Sequence, residues 1–209
     1  MPARSHRSPL PAAPRRRGRQ RSVRAEAAIL GATMALMEKK PLRDVTAEAI
    51  AQRARVSKAT IYKWWPNKCR VALDAFLSQL QAQVKLPDTG SAVRDFTEQL
   101  QAIVRFYAGR GGRMFCQFIA EGQSDPKFLA IFNERFLRTR RDEVRVMWSR
   151  GVERGEIDPS IDSEIALDLI YAPMIFRLLA GHAPLNEEVA GEMVRAAFAG
   201  LRPHAPESR

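Results

Sequence analysis

Apolar residues recur at helical spacing along most of the chain, beginning near residue 22. Ala25, Ile29 and Leu36 fall on one face, which predicts a helix over 22–38 that Pro41 ends. No segment in the first 80 residues alternates between apolar and polar positions with a period of two. We therefore expect no strand in this part of the chain.

Two short helices joined by a tight turn follow the first helix. Thr46 is a suitable N-cap for a helix over 47–54, because its hydroxyl can accept from a free N–H group of the first turn. Ser57 is a second N-cap and opens a helix over 58–65, after which Asn67 caps another helix. Two short helices around a short turn predict a helix-turn-helix.

The second short helix has an unusual outer face. Ile61 is its inward anchor, and the face that remains offers Lys58, Thr60, Tyr62 and Lys63, without an acid. A cationic helix with hydroxyl and aromatic side chains suits the major groove of DNA, where lysine and threonine reach base edges and phosphates. A solvated face of a small helical bundle is the alternative interpretation.

The remaining two thirds of the chain also carries helical stripes, which Pro and Gly residues separate. They predict five further helices, namely Val93 to Tyr107, Arg113 to Glu121, Pro126 to Gly155, one that Asp162 caps and one that Asn186 caps. The stripe of the helix after Asp162 comprises Ile165, Leu169, Ala172, Phe176 and Leu179. The fold class is therefore all-α, with about nine helices: a three-helix helix-turn-helix domain and a C-terminal helical bundle.

Charge divides the chain in the same way as the helices do. The net charge of the 209 residues is +11; residues 1–25 carry +8, residues 26–80 carry +4, and the rest carries −1. Such an asymmetry favours a nucleic-acid-binding N-terminal part, although a basic tail that only aids solubility remains open. Cys69 and Cys116 form no CxxC pair, so neither a metal site nor a disulfide framework is expected.

These observations predict four segments and a compartment. We expect a disordered basic arm over 1–21, a DNA-binding domain over 22–84, a near-neutral helical domain over 85–203 with a separate role and a disordered tail over 204–209. The arm either contacts phosphates or the minor groove, or has no fixed partner. Neither a secretory signal nor a clean membrane-spanning stretch is visible, so the expected location is the cytoplasm, away from membranes.

The segment Val56–Lys68, VSKATIYKWWPNK, resembles the DNA-binding domain of the TetR/AcrR family of transcriptional regulators. It matches the family core Val-Ser-x-x-Thr-Leu/Ile-Tyr-x-x-Phe/Trp-Pro-x-Lys. Residues 164–202 resemble one C-terminal type of the same family, which is a weaker match. Arg55 departs from the pattern, because the family often has glycine in that turn; a strained or different turn is expected there.

The resemblance implies roles for particular residues. It implies contacts of DNA phosphates or groove edges by the following residues: Thr46, Arg55, Lys58, Thr60, Tyr62, Lys63, Trp64 and Lys68. Lys68 would bind a phosphate together with the amides that open its helix. Of the two tryptophans, Trp65 is expected to pack inward and Trp64 to lie outward against the DNA backbone.

The C-terminal bundle is expected to hold an effector and a second subunit. The candidate pocket residues are Phe106, Tyr107, Phe115, Phe118, Phe132, Trp148, Met174 and Phe176, although each could simply be core. The candidate dimer residues lie off the main helical stripes and are Tyr171, Ile175, Leu178, Val194 and Phe198, with packing inside one subunit as the alternative.

The sequence thus predicts a homodimeric repressor that binds a palindromic double-stranded DNA operator and is released by a small apolar or amphipathic effector. The alternative is an architectural DNA-binding protein without an effector. The chain shows none of the nucleophile-elbow, zinc-protease or phosphate-loop motifs, so we expect neither an enzyme nor a cofactor.

Overall fold

A computed structural model gives the fold; it describes residues 16–201, with side chains over 23–200. This part of the chain contains helices and loops but no strand, which confirms the all-α class. The α-helices are α1 Arg16–Met37, α2 Ala47–Ala54, α3 Lys58–Tyr62, α4 Lys68–Gln83, α5 Ala92–Ala108, α6 Arg110–Ser124, α7 Pro126–Phe132, α8 Arg138–Glu153, α9 Ser163–Ala180 and α10 Glu187–Leu201.

Two shorter helical pieces complete this part of the fold. A single 3₁₀ turn, Leu42–Asp44, precedes α2, and a π-helical segment, Asn133–Leu137, joins α7 to α8. The flanking residues Phe132 and Arg138 keep right-handed helical dihedrals, so α7 continues into α8 without a break. When α7 and α8 are counted as one helix, the described residues form nine α-helices, as the sequence predicts. None of the described helices is long and apolar enough to cross a bilayer.

The predicted helix starts are formed by side-chain caps. In each case a side-chain oxygen accepts from a backbone N–H of the first turn, and the capping residues are Thr46, Ser57, Asn67, Asp125 and Asp162. A cap of this kind stabilises a helix by about 1 kcal/mol. These starts depend on local chemistry, which explains why the sequence locates them.

Three predicted boundaries differ from the structure. Helix α1 begins at Arg16, so residues 16–21 of the expected disordered arm are helical; residues 1–15 and the expected tail 204–209 lie outside the described residues. Helix α3 ends at Tyr62 rather than residue 65; Lys63 still has helical dihedrals, and Pro66 disfavours them at Trp65. Helix α6 begins three residues early, at Arg110.

The early start of α6 has a steric cause. Gly109 alone interrupts the chain between α5 and α6, with φ −101° and ψ −141°. Gly111 and Gly112 are helical. A Cβ on Gly111 would lie 2.4 Å from the Phe106 ring, and a Cβ on Gly112 would lie 2.1 Å from the Tyr107 carbonyl oxygen. These glycines therefore permit the close approach of α5 and α6 instead of ending a helix.

Helix α4 links the two domains through a continuous core. It packs with α1, and its Phe76 is fully buried. The Phe76 ring lies 5.5 Å from Phe106, 5.2 Å from Phe118 and 5.6 Å from Phe136. A displacement of the C-terminal helices would therefore also displace α4 and the helix-turn-helix, because close-packed interiors transmit strain.

The start of α5 is fixed by a buried carboxylate. Asp95 Oδ1 accepts from the Thr89 N–H at 2.7 Å and from the Thr89 hydroxyl at 2.8 Å. Its Oδ2 lies 3.8 Å from Arg150 Nη2 and 3.7 Å from Arg154 Nη2 of the α8 region. Asp95 thus ties the loop before α5 to the end of α8.

We expect Asp95→Ala to lower the free energy of unfolding by about 2–4 kcal/mol. The substitution removes the acceptor of the two Thr89 donors and the negative charge beside two arginines. Asp88→Ala is the matched control, since Asp88 makes an exposed pair with Arg150 at 2.7 Å that contributes about 0–1 kcal/mol. Urea denaturation of both variants measures the difference. Equal losses would show that the Asp95 contacts do not anchor the loop.

Candidate nucleic-acid interface and ligand cavity

The turn between α2 and α3 is closed by Arg55. Its backbone is left-handed, with φ 56° and ψ 43°, and its N–H donates to the carbonyls at the end of α2. Among the described residues it is the only non-glycine with a positive φ. Arg55 therefore adopts the left-handed conformation that glycine favours, at a cost of about 1–2 kcal/mol, and presents an exposed guanidinium beside α3.

Helix α3 presents most of the predicted face to solvent. Ile61 is buried, as expected, whereas Lys58, Tyr62 and Lys63 are exposed. Thr60 is half-buried, and its hydroxyl lies 2.9 Å from the Ser57 hydroxyl. The exposed part of α3 is thus formed by two lysines and a tyrosine, with the threonine partly beneath them.

The lysine at the start of α3 has an acidic neighbour that the sequence analysis missed. Lys58 Nζ donates to Glu48 Oε1 of α2 at 2.6 Å, and both side chains are more than half exposed. The hydrogen bond and the opposite charge lower the pKa of Glu48 and raise that of Lys58. The acid comes from a different helix, so reading α3 alone cannot reveal it.

Glu48→Gln should therefore strengthen DNA binding severalfold and steepen its salt dependence, because Lys58 is then free to replace a counterion at a phosphate. Glu98→Gln is the control, since it makes the same change of net charge at an exposed position of α5. Fluorescence anisotropy with a labelled duplex at several salt concentrations measures both effects. Identical curves for the two variants would contradict a specific role for the Lys58–Glu48 pair.

Lys68 is engaged differently from what the resemblance implies. Its Nζ donates to the carbonyl oxygens of Leu42 and Arg43, at 3.2 and 2.8 Å, and so holds the 3₁₀ turn against α4. One donor of the ammonium group remains for a phosphate. Arg43, exposed in that turn, is a candidate phosphate contact that the sequence analysis missed. Its signal was only a lone arginine in a loop.

Thr46 is also occupied in part. Its Oγ1 accepts from the Ala49 N–H at 3.1 Å, and a hydrogen bond from the Thr46 side chain contributes to the lowered pKa of Glu48. Thr46 and Lys68 therefore both stabilise the helix-turn-helix in the absence of DNA. Their contacts with phosphates remain predictions.

Of the two tryptophans after α3, Trp65 has the predicted inward orientation, whereas Trp64 packs in part against the core. Trp65 is buried and Trp64 is half-buried, with the rings edge to face at 5.6 Å. Trp65 Nε1 donates to Asp74 Oδ2 of α4 at 2.8 Å, and Asp74 also accepts from Arg135 Nη2 at 3.1 Å. Because Arg135 belongs to the π-helical segment, this chain of contacts joins the end of α3 to the C-terminal domain.

A largely apolar cavity of about 500 Å³ lies among the helices of the C-terminal domain. Five of the predicted pocket residues line it, namely Tyr107, Phe115, Phe132, Met174 and Phe176. The prediction is wrong for Phe106, Phe118 and Trp148, which are buried in the core instead. Phe106 and Phe118 pack against Phe76, a contact that helical spacing does not distinguish from facing a cavity.

Polar groups are few in the cavity wall. Arg140 and Arg141 reach it from α8, Asp168 and Tyr171 reach it from α9, and Tyr107 reaches it from α5. Burial raises the pKa of both tyrosines well above the usual range, so both hydroxyls keep their protons. The sequence analysis missed the two arginines, because α8 carries arginine on several faces.

Two of the predicted dimer residues belong to the subunit interior. Val194 and Phe198 are buried between α10 and α5, and the Phe198 ring lies 5.6 Å from Phe96. The remaining three are partly buried: Tyr171 donates its hydroxyl to Gln99 Oε1, Ile175 lines the cavity, and Leu178 packs against the core. The assignment to a dimer interface is therefore wrong for Val194 and Phe198, whereas for the three partly buried residues it stays a prediction.

The exposed face of α9 lies away from the residues of this helix that pack in the core. Ile165, Leu169 and Phe176 are each more than half exposed, and Leu179 is 46% exposed. They form the stripe that the hydrophobic pattern assigns to this helix, which is apolar nearly all round and gives no sequence signal for which side faces the core. On α10 the exposed residues include the small Ala196 and Ala199 together with the charged Glu192 and Arg195.

Comparison with known families and proteins covers both domains. Residues 29–73 match the model described as bacterial regulatory proteins, tetR family, and residues 86–197 match the tetracyclin repressor-like C-terminal domain. The HTH-type transcriptional regulator YdeS of Bacillus subtilis (strain 168) is 38% identical over 187 residues, which cover 90% of this chain and 94% of that protein.

Two further similarities extend over most of the chain. The DNA-binding transcriptional repressor TetR of Mycobacteroides abscessus is 25% identical over 181 residues, which cover 85% of this chain and 92% of that protein. The crystal structure of the TetR family transcription regulator SCO0332 aligns with a TM-score of 0.75 at 27% identity, covering 86% of this chain and 99% of that one.

Proposed function

Because this chain belongs to the tetR family of DNA-binding transcriptional regulators, we propose that it is a repressor that binds a palindromic operator as a homodimer and leaves it when a small molecule fills the cavity. The observation that carries the proposal is the connection between an exposed cationic α3 and a large apolar cavity, through Trp65, Asp74 and Arg135.

Each subunit would place α3 in the major groove of one half-site. Lys58, Thr60 and Lys63 would face the groove, and the exposed Tyr62 hydroxyl would reach the backbone. The phosphate contacts would come from the following residues around α3: Arg43, Thr46, Arg55, Trp64 and Lys68. Phosphate contacts of this kind position the protein, whereas contacts with base edges determine the sequence it prefers.

The dimer would form through the exposed apolar face of α9 together with the exposed side of α10 that carries Ala196. An isolated subunit leaves Ile165, Leu169 and Phe176 largely exposed on one side of α9. A contiguous apolar face of this kind is typical of a protein–protein interface. Two subunits joined there would hold two α3 helices at a fixed separation.

Release would follow from a shift of the π-helical segment. Phe136 and Leu137 of this segment line the cavity, and the adjacent Arg135 holds Asp74. A molecule that displaces the segment would move Asp74 and, through its bond with the Trp65 indole, the end of α3. Half-sites about 34 Å apart tolerate little change in the separation of the two α3 helices.

Repression is favoured over an architectural role. The cavity of about 500 Å³ falls within the range of small-molecule sites, which an effector-independent protein does not need. A relative covering most of the chain is described as a transcriptional repressor. A repressor of this kind acts on DNA in the cytoplasm, and the proposal assigns it no catalytic role.

Selection of bound duplexes from a random DNA pool tests the DNA-binding part of the proposal. We expect enrichment of an inverted repeat whose half-sites are centred about one helical turn apart. The variant Lys63→Ala should relax the preference within each half-site, whereas Arg43→Ala should weaken all sequences alike. An unenriched pool with tight binding would instead favour the architectural alternative.

A further inference from the structure

The cavity wall contains a cation with an unused hydrogen-bonding edge. The side chain of Arg140 is only 11% exposed, and its Nη1 donates to Glu143. Its Nη2 is fully buried and has no hydrogen-bond partner among the described residues. A buried guanidinium edge without an acceptor is costly, because its desolvation is uncompensated.

The neighbouring arginine differs from Arg140 in this respect. Arg141 Nη1 donates to Glu164 Oε2 at 2.8 Å, and its Nη2 donates to Asp168. Asp168, the carboxylate in the cavity wall, is thereby occupied. Glu143 does not line the cavity and also accepts from Gln81 at 2.9 Å. The cavity wall therefore contains an arginine whose Nη2 has no acceptor, and the one carboxylate in that wall is already paired.

A second free donor lies in the same wall. The Tyr107 hydroxyl makes no hydrogen bond within the described part of the chain, and burial keeps it protonated. Tyr171 differs, because its proton is already donated to Gln99. Arg140 and both tyrosines line the same cavity. Arg140 and Tyr107 thus form a pair of donors in an otherwise apolar cavity.

We propose that the effector is an organic acid with an aromatic body, whose carboxylate binds Arg140 and Tyr107. A carboxylate accepts parallel hydrogen bonds from a guanidinium edge, and such charge-assisted bonds are about twice as strong as neutral ones. The apolar body would lie against Phe115 and Phe132, whose rings favour stacked or edge contacts. This assignment depends on the proposed function, because it names the ligand class of the same cavity.

The test compares three probes that differ in one group: biphenylcarboxylate, biphenylcarboxamide and biphenylmethylamine. Isothermal titration of the full chain without DNA gives their affinities. We expect the acid to bind about tenfold to a hundredfold more tightly than the amide, and the amine to bind least. Arg140→Met should reduce the acid-to-amide ratio to about one. Arg138→Met is the control, since Arg138 is exposed on the same helix and does not line the cavity.

Tyr107→Phe provides a second measurement that does not disturb the Arg140–Glu143 pair. It should weaken the acid severalfold and leave a hydrocarbon probe, biphenyl, unchanged. Equal affinities of acid and amide for the unmodified protein would overturn the proposal in favour of a neutral carbonyl ligand. Absence of acid binding, or an acid-to-amide ratio that Arg140→Met leaves unchanged, would also overturn it.

Operator binding by the same proteins separates this proposal from the proposed function. If the unmodified protein binds the acid but no DNA sequence selectively, the proposed function fails and the ligand class stands. If Arg140→Met binds the operator like the unmodified protein but no longer responds to the acid, both stand. Selective DNA binding together with indifference to the acid overturns the ligand class alone.

Discussion

Replacing Leu169 by glutamate is expected to separate the dimer while each subunit stays folded. Leu169 is 57% exposed in the isolated subunit and does not line the cavity, so a carboxylate there costs little in the subunit itself. In the proposed interface the same carboxylate would be buried without a partner, which costs about 3 kcal/mol or more of association free energy. The dimer dissociation constant should rise by at least about a hundredfold.

Sedimentation velocity and circular dichroism measure the two halves of this expectation. Val146→Glu is the matched control, because Val146 is equally exposed on α8 but lies on the side of Asp142 and Ser149. The control should remain dimeric. A Leu169→Glu protein that also remains dimeric would place the interface elsewhere, and loss of helical signal would show that Leu169 contributes to the subunit core.

Phe198→Glu is expected to unfold the subunit. Phe198 is 1% exposed and packs against Phe96, so glutamate there leaves a cavity and buries an unpaired carboxylate. The two effects together lower the free energy of unfolding by about 4–5 kcal/mol or more, a large share of the total for a domain of this size.

Thermal denaturation followed by circular dichroism tests this second expectation. Ala199→Glu is the control, since the neighbouring Ala199 is exposed and should accept the charge without loss of helix. A Phe198→Glu protein that keeps its helical signal but sediments as a monomer would contradict the structure. It would restore Phe198 to the interface that the sequence predicts.

Local chemistry explains what the sequence predicts well. Thr46, Ser57, Asn67, Asp125 and Asp162 open their helices because a cap depends on residues a few positions apart. The inward position of Ile61 follows in the same way from the spacing within one short helix. Neither requires knowledge of what the helix packs against.

Contacts between distant residues explain what the sequence does not predict. Helix α9 is apolar on several sides, and the choice between them depends on α5, where Gln99 accepts the Tyr171 hydroxyl. Phe115 and Phe118 lie on the same helix, yet only Phe115 reaches the cavity, because Phe118 meets Phe76. Among the arginines of α8, only the fold distinguishes Arg140 from the exposed Arg138.

The pairing of Lys58 with Glu48 has the same origin. The sequence places a cationic face on α3, and the structure adds an acid from α2 that neutralises part of it before DNA binds. The positive excess of the N-terminal region is therefore a poor measure of the charge that α3 presents. The exposed Lys63 and Arg55, which make no ion pair within the described residues, are better placed to meet DNA.

The most direct test of a dimer with two linked α3 helices changes the spacing of its operator. Inserting about five base pairs between the half-sites of the selected sequence adds half a helical turn and moves one half-site to the opposite side of the duplex. The account predicts a loss of at least about a hundredfold in affinity, toward the level of non-specific DNA. Unchanged affinity for the lengthened operator would mean that each half-site is bound independently, which would contradict the account.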